Sequence, residues 1–306
     1  MRVLLTGAAG FLGRYVLAEL SAAGHDVTAL THKTPLPKAL AAQSARVIVG
    51  DIREAQTWRE TVSQVDCICH FAAYIPPNHD DHAYAEACLQ ANGLATLEIA
   101  RTASKAGQCR FIYASAGNAY AFGDAAADEG TLVYPADRAA YYLASKILGE
   151  LYVEHLRRAA GLDAICFRIS TPYGSGMAEK SVVAHFMKQA SKGLPLQVLD
   201  GGLPRYDFVH AGDVARLAVA ALTRGLPGVY NVGSGSAHSL AELAQAVAEI
   251  YPERKISIEI KPPSSSTLPG FGALSITKAA ETWDYRPLSL REGLAAYRKR
   301  MDQEPS

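Results

Sequence analysis

Apolar positions in the first half of the chain come in short unbroken runs: "VLLT" (3–6), "DVTAL" (26–30), "ARVIVG" (45–50), "VDCICHFAA" (65–73), "RFIYAS" (110–115) and "DAICFRIS" (163–170). Between the first two, Leu12, Val16 and Leu20 recur every four residues, which predicts a helix. Further helical stretches are predicted at 82–106 and 140–160. Strands that are apolar throughout and separated by helices predict a parallel sheet covered on both faces, a doubly wound α/β fold. After residue 171 proline and glycine become frequent, as in "KGLPLQVLDGGLPR" and "KPPSSSTLPGFG". That texture predicts a smaller, loop-rich C-terminal α/β substrate lobe, with 262–272 as a mobile loop. The expected division is a dinucleotide-binding domain over 1–172 plus 206–232, and a substrate-binding lobe over 173–205 and 233–306.

The bulk numbers narrow the partners. Of 306 residues, 30 are basic and 30 acidic, so a nucleic-acid surface, which needs a basic excess, is not expected. No apolar run is long enough to span a membrane, and the apolar start of "MRVLLTGAAG" reads as a buried strand rather than a leader. The five cysteines sit mostly inside apolar segments, which predicts reduced, buried thiols and a cytoplasmic protein. Cys67-Ile68-Cys69-His70 has no second ligand pair at a zinc-like spacing, so no metal is expected.

The sharpest motif is "LLTGAAGFLG" (4–13), between the first strand and the first helix. Gly7 permits a tight turn, Gly10 lets the backbone approach a pyrophosphate, and Gly13 lets helix and strand pack closely. The helix N-terminus then offers free N–H groups to the phosphates. Together with the parallel sheet this is a Rossmann-type dinucleotide site. At the end of the second strand, where an acid would bind the 2′-hydroxyl of NAD, stands Thr31, followed by His32 and Lys33. Two candidate cations and no acid favour the 2′-phosphate of NADP, while Thr31 is equally able to bond a 2′-hydroxyl.

Tyr142 and Lys146 lie at i and i+4 on a predicted helix and share a face. A lysine cation beside a phenol favours phenolate, which takes a proton from a hydroxyl as hydride leaves, or returns it to a carbonyl. A polar cluster, "NHDDH" (78–82), follows the fourth strand at the expected mouth of the site. It is a candidate substrate or metal site, or a solvated loop with Asp80 or Asp81 as a helix cap. His210 and Asp213 are expected to begin a helix, and His185 to lie on one.

Taken in order, "TGAAGFLG", "GDIRE" (50–54), "HFAA" (70–73), "YLASK" (142–146), "RISTPYG" (168–174), "VYNVGSG" (229–235) and "WDYRPLSLREGL" (283–294) resemble the motifs of the extended short-chain dehydrogenase/reductase family, the NAD(P)-dependent nucleotide-sugar epimerases and dehydratases. The resemblance spans nearly the whole chain. It implies that Gly7, Gly10 and Gly13, with Phe11 and Leu12 of the same motif, hold the pyrophosphate. It implies Asp51 and Ile52 at the adenine, and Ala72 and Ala73 along the cofactor. Tyr142 would be the acid/base, and Lys146 would bond the nicotinamide ribose. Thr171 would face the substrate. It further implies a sheet of about seven parallel strands and a homodimer.

Three departures stand out. The family places Ser or Thr four residues before a tyrosine; here that residue is Ala116, before Tyr120, and the nearest hydroxyl is Ser115. Ser115 serves as the third catalytic group only if the strand has ended or bulges there. Gly117 and Asn118 stand where dehydratases carry acids, so dehydration is disfavoured and Asn118 becomes a candidate substrate residue. Arg205, three before Phe208, is offset from the usual diphosphate-holding arginine, with Tyr206 in that slot, and is kept as a candidate substrate residue that reaches the diphosphate from the offset position. The expected activity is epimerisation by reversible hydride transfer on a nucleotide sugar. The alternatives are an NADPH-dependent keto-sugar or carbonyl reductase and, more remotely, a nucleotide-binding regulator without catalysis.

Overall fold

Fifteen residues in five short stretches apart, the whole chain is described: the computed structural model covers residues 1–107, 109–121, 125–135, 138–263 and 270–303. Most of the loop predicted at 262–272 lies outside the described residues. The described strands are β1 (Arg2–Thr6), β2 (Asp26–Thr31), β3 (Arg46–Val49), β4 (Cys67–His70), β5 (Arg110–Ala116), β6 (Ala164–Ile169), β7 (Thr171–Tyr173), β8 (Leu196–Val198), β9 (Arg205–His210), β10 (Gly228–Val232), β11 (Ala237–Ser239) and β12 (Ile258–Ile260).

Seven of them form one sheet in the order β3-β2-β1-β4-β5-β6-β10. Every pairing in it is parallel, from Arg2 opposite Asp26 to Val232 opposite Ile169. The period-two geometry of strands explains why the runs are apolar throughout. Val3 and Leu5 of β1 enter a core with Val16, Leu17 and Leu20 of the first helix, while Leu4 enters the opposite core with Ile68, Phe111 and Val153. Chain order reverses between β1 and β4, so the crevice beyond their C-terminal ends is the natural ligand site of such a sheet.

The smaller sheets carry the rest. β7 pairs parallel with β9, which pairs antiparallel with β11; β8 pairs parallel with β12. A third core joins Phe186, Phe208, Leu243, Tyr251 and Leu294. β10 thus extends the large sheet, whereas β9, all but its first residue also within 206–232, belongs to a small one.

The helical stretch predicted at 82–106 is not one regular helix. A 3-10 turn, His82–Tyr84, leads into Ala85–Cys88, a π turn over Leu89–Leu94, and Ala95–Ala106. Such an insertion re-aims one side chain. Here buried Asn92 accepts from the Tyr74 N–H at 2.7 Å and donates to the Tyr74 carbonyl and to Ser145 Oγ, each at 2.9 Å. The segment after β4 is thereby tied to the helix Ala140–Ala160.

Candidate functional site

The turn after β1 is built by lack of side chains. Gly7 has φ +73°, and a Cβ there would stand 2.6 Å from the Ala72 nitrogen. A Cβ on Gly13 would stand 2.0 Å from the Gly7 carbonyl oxygen. Gly10 caps the helix Phe11–Ala22 without any side-chain bond, so the first-turn N–H groups stay open to an anion. Phe11 and Leu12 pack their side chains against the core, which leaves their backbone N–H groups as what they offer.

This turn forms one wall of a cleft of about 440 Å³. The structure brings Gly7, Gly10, Thr31, His32, Lys33, Asp51, Ile52, Ala72 and Ala73 together around it. Arg53, Tyr74, Ala87 and Ala91 also line it and were not anticipated, although Arg53 sits inside the "GDIRE" motif. The bare turn, the open helix end and an apolar floor fit a dinucleotide.

At the far end of the cleft Asp51 is committed. Arg53 Nε lies 3.0 Å from both of its oxygens and Nη2 2.5 Å from Oδ2, with His32 Nε2 3.5 Å away. The Arg53 guanidinium holds the Asp51 carboxyl down at about 2. Thr31 is buried, and its hydroxyl turns into the sheet to the Ile48 carbonyl at 3.4 Å. In the ligand-free protein that hydroxyl therefore bridges β2 and β3. His32 and Lys33 remain exposed.

Tyr142 and Lys146 share a face of the helix Ala140–Ala160, as their spacing predicts. Lys146 is buried, its Nζ 4.3 Å from the centre of the Tyr113 ring. Burial pulls the Lys146 ammonium down to about 7, against opposing pulls from Cys166 and Glu150. Burial likewise pushes the Tyr142 phenol up to about 12. The expected lowering of the phenol is absent in the free protein, because both groups are desolvated and the lysine loses much of its charge near neutrality.

Ser115 does not supply the third hydroxyl. Its Oγ donates to Glu150 Oε2 at 2.6 Å. Glu150 is also paired with Arg168, Nη2 to Oε1 at 2.6 Å, and Arg168 donates to Tyr120 Oη at 2.8 Å, which donates to Asn231 Oδ1 at 2.6 Å. Ser115 continues the alternation of Phe111 and Tyr113 on the helix-facing side of β5, so it meets the helix two turns beyond Tyr142. Ala116, buried, joins an apolar cluster with Ala119 and Leu143, against which Tyr142 packs.

The other candidates divide. Thr171 Oγ1 is buried with no partner among the described residues. Asn118 lines a second cleft, of about 240 Å³, with Tyr120, Thr131, Arg138 and Phe271. Arg205 donates to the Ala237 carbonyl at 2.5 Å and pairs with Glu242 at 3.2 Å, so in the ligand-free protein the guanidinium braces β9 against β11. His70 is a core residue, its two ring nitrogens 2.7 Å from Thr6 Oγ1 and 2.9 Å from Thr96 Oγ1. His210 caps the helix Ala211–Ala221 through Nδ1, and Asp81 caps His82–Tyr84. His79, from the "NHDDH" cluster, packs edge-on against Tyr142 with ring centroids 5.6 Å apart. Among the described residues no helix is long and apolar enough to cross a membrane.

Comparison with known proteins places this geometry. The model of the NAD dependent epimerase/dehydratase family matches residues 3–233. A UDP-glucose 4-epimerase of Mycolicibacterium smegmatis is 29% identical over 310 residues, covering 96% of each chain. The crystal structure of a UDP-glucose 4-epimerase from Thermotoga maritima with UDP-glucose superposes with a TM-score of 0.85 at 25% identity, over 99% of this chain and 100% of that one. A UDP-glucose 4-epimerase from Thermus thermophilus in complex with NAD gives 0.83 at 26% identity, over 99% of both.

Proposed function

This chain belongs to the NAD dependent epimerase/dehydratase family, and on that premise we propose that it is an NAD(P)-dependent epimerase acting on a nucleotide sugar. The observation that carries the reading is the pairing of Tyr142 and Lys146 on one helix face beside a sheet whose C-terminal crevice is shaped for a dinucleotide. When bound, the nicotinamide takes and returns hydride. Tyr142 removes the proton from the sugar hydroxyl and restores it. Lys146, whose ammonium lies near 7, bonds the nicotinamide ribose and adjusts the charge beside the phenol. Gly7, Gly10 and the open first turn of Phe11–Ala22 receive the pyrophosphate. Asn118 and the unpartnered Thr171 hydroxyl face the sugar. Loss of water is disfavoured by Gly117 and Asn118, which stand where an acid would assist it.

We place the substrate between a nucleotide-binding part (1–172 with 206–232) and the lobe formed by 173–205 and 233–306. The protein works in the cytoplasm as a homodimer; Leu89, Leu94, Tyr141 and Leu151 are exposed on the two helical segments that would meet.

A second reading, reduction of a keto-sugar or other carbonyl by NADPH, is favoured by His32, Lys33 and Arg53 around the 2′ end of the cleft. The two readings part on cofactor handling. Protein purified without added nucleotide is denatured and the released dinucleotide identified by mass. Near-stoichiometric NAD(H) supports the epimerase, which regenerates its cofactor in each cycle. An empty protein that then binds NADPH better than NADH supports the reductase. Tyr142→Phe lowers kcat about 10²–10⁴-fold while the dinucleotide stays bound; unchanged turnover removes Tyr142 from the chemistry and favours neither reading.

A further inference from the structure

With Ala116 in place of a hydroxyl and Ser115 turned to Glu150, the reacting sugar oxygen has one identified partner, the Tyr142 phenol. Transfer of hydride from an alcohol needs more than a proton acceptor. As the C–H bond breaks, the oxygen goes from hydroxyl to carbonyl, and on return it carries growing negative charge. A positioned second hydrogen-bonding group at that oxygen is worth about 10²–10³ in rate.

His79 is suited to that place. It comes from the segment after β4, and its ring packs edge-on to Tyr142 with centroids 5.6 Å apart. Its Nδ1 is buried and has no hydrogen-bond partner among the described residues. A buried, unpaired ring nitrogen is destabilising, and the cost is relieved when a partner arrives. The segment is also anchored from the substrate side: Lys180 Nζ donates to the Pro77 carbonyl at 3.2 Å. Burial first, and the Lys180 charge second, lower the His79 imidazole below its ordinary range, so it is neutral at neutral pH. A neutral imidazole both donates and accepts, as a serine or threonine hydroxyl does.

We propose that His79 is a further catalytic residue, whose imidazole hydrogen-bonds the reacting sugar oxygen beside Tyr142 in place of the absent hydroxyl. The proposal rests on the epimerase reading. In the oxidising half-reaction the hydroxyl proton would pass to Tyr142, which must be ionised in the loaded enzyme to accept it, and a bound nicotinamide would supply the hydride acceptor, leaving a carbonyl whose oxygen keeps its hydrogen bond from His79. In the reducing half-reaction the hydride returns to the carbon and the Tyr142 proton to the oxygen. His79 neither gains nor loses a proton over the cycle.

The test compares wild type, His79→Ala, His79→Asn, Ala116→Thr and the double variant His79→Ala/Ala116→Thr, each saturated with NAD⁺. The probes are UDP-glucose, UDP-glucuronic acid and dTDP-glucose, with conversion followed by proton NMR. His79→Ala is expected to lower kcat about 10²-fold or more with little change in KM, while bound dinucleotide stays at the wild-type level. Adding Ala116→Thr to His79→Ala is expected to restore at least about tenfold, because the hydroxyl then stands where the family carries it. A merely structural role for His79 would not be rescued from a different strand. His79→Asn, which keeps hydrogen-bonding groups on the same loop, covers the case in which the alanine variant fails to fold. Turnover of His79→Ala within about threefold of wild type, or no rescue by the threonine, overturns the proposal and leaves the epimerase reading standing. Failure of the wild type to convert any of the three sugars overturns that reading, and the proposal with it.

Discussion

Asp51 and Ser115 each acquire their role from a single neighbour. Asp51 sits two residues before Arg53, and the guanidinium folds back onto it in a bidentate pair. The carboxyl therefore titrates near 2 rather than at its ordinary value of 3.8. A depressed carboxylate contributes stability that is present above its unfolded pKa and is lost as pH falls through the folded one. The Asp51 contribution is thus expected to fade between 3.8 and about 2. Carbon-13 NMR titration of Asp51 reads this directly, and Arg53→Ala is expected to return the midpoint toward 3.8. Ser115 is the opposite case, a residue whose type suggests catalysis and whose contact denies it. Its hydroxyl bonds a buried carboxylate, so Ser115→Ala is expected to cost about 1.5–3 kcal/mol of stability, measured by urea unfolding. Turnover is expected to stay close to wild type; a hundredfold loss of kcat would restore Ser115 to the mechanism.

The helix Ala140–Ala160 organises the site by its period. Tyr142, Lys146 and Glu150 follow at steps of four and form one inward row. The row begins at Tyr142, the proposed proton-transfer group, and finishes in a buried ion pair between Glu150 and Arg168 of β6. Arg168 also reaches the Glu129 carbonyl at 3.1 Å, so the same pair holds the segment that follows β5. Removing one partner strands a buried charge at a cost of about 3–5 kcal/mol, whereas removing both is much cheaper. Chemical unfolding of Glu150→Leu, Arg168→Leu and the double variant is expected to show each single change to be more damaging than the two together. Equal or additive losses would mean that water already screens the pair. The π turn over Leu89–Leu94 plays a similar part from the other side, since it aims Asn92 at both Tyr74 and Ser145.

At the scale of the molecule, cofactor and fold are linked. The cleft is made by five separated segments, the turn after β1, the end of β2 and the residues that follow it, the residues after β3, those after β4, and the helical positions Ala87 and Ala91, so a ligand filling it stabilises their association. A dinucleotide at a hundred times its dissociation constant is expected to add about 2.7 kcal/mol to unfolding stability, read as a rise in thermal midpoint. No rise with either NAD⁺ or NADP⁺ would deny the cleft its role. The sheet itself was legible in the chain, because a strand covered on both faces must be apolar throughout and a helix between strands must repeat near every fourth residue. The glycine turn was legible for the same local reason: only a residue without Cβ tolerates the approach of Ala72 to Gly7 and of Gly7 to Gly13. Tyr142 and Lys146 could be paired because four residues make one helical turn. What could not be read was every choice made across the sheet: Ser115 turned to Glu150, Thr31 to Ile48, Arg205 to Glu242, and His79 set against Tyr142. Periodicity assigns a side chain to a face, but the partner it finds there comes from another element, distant in the chain, and only the packed structure brings the two into contact.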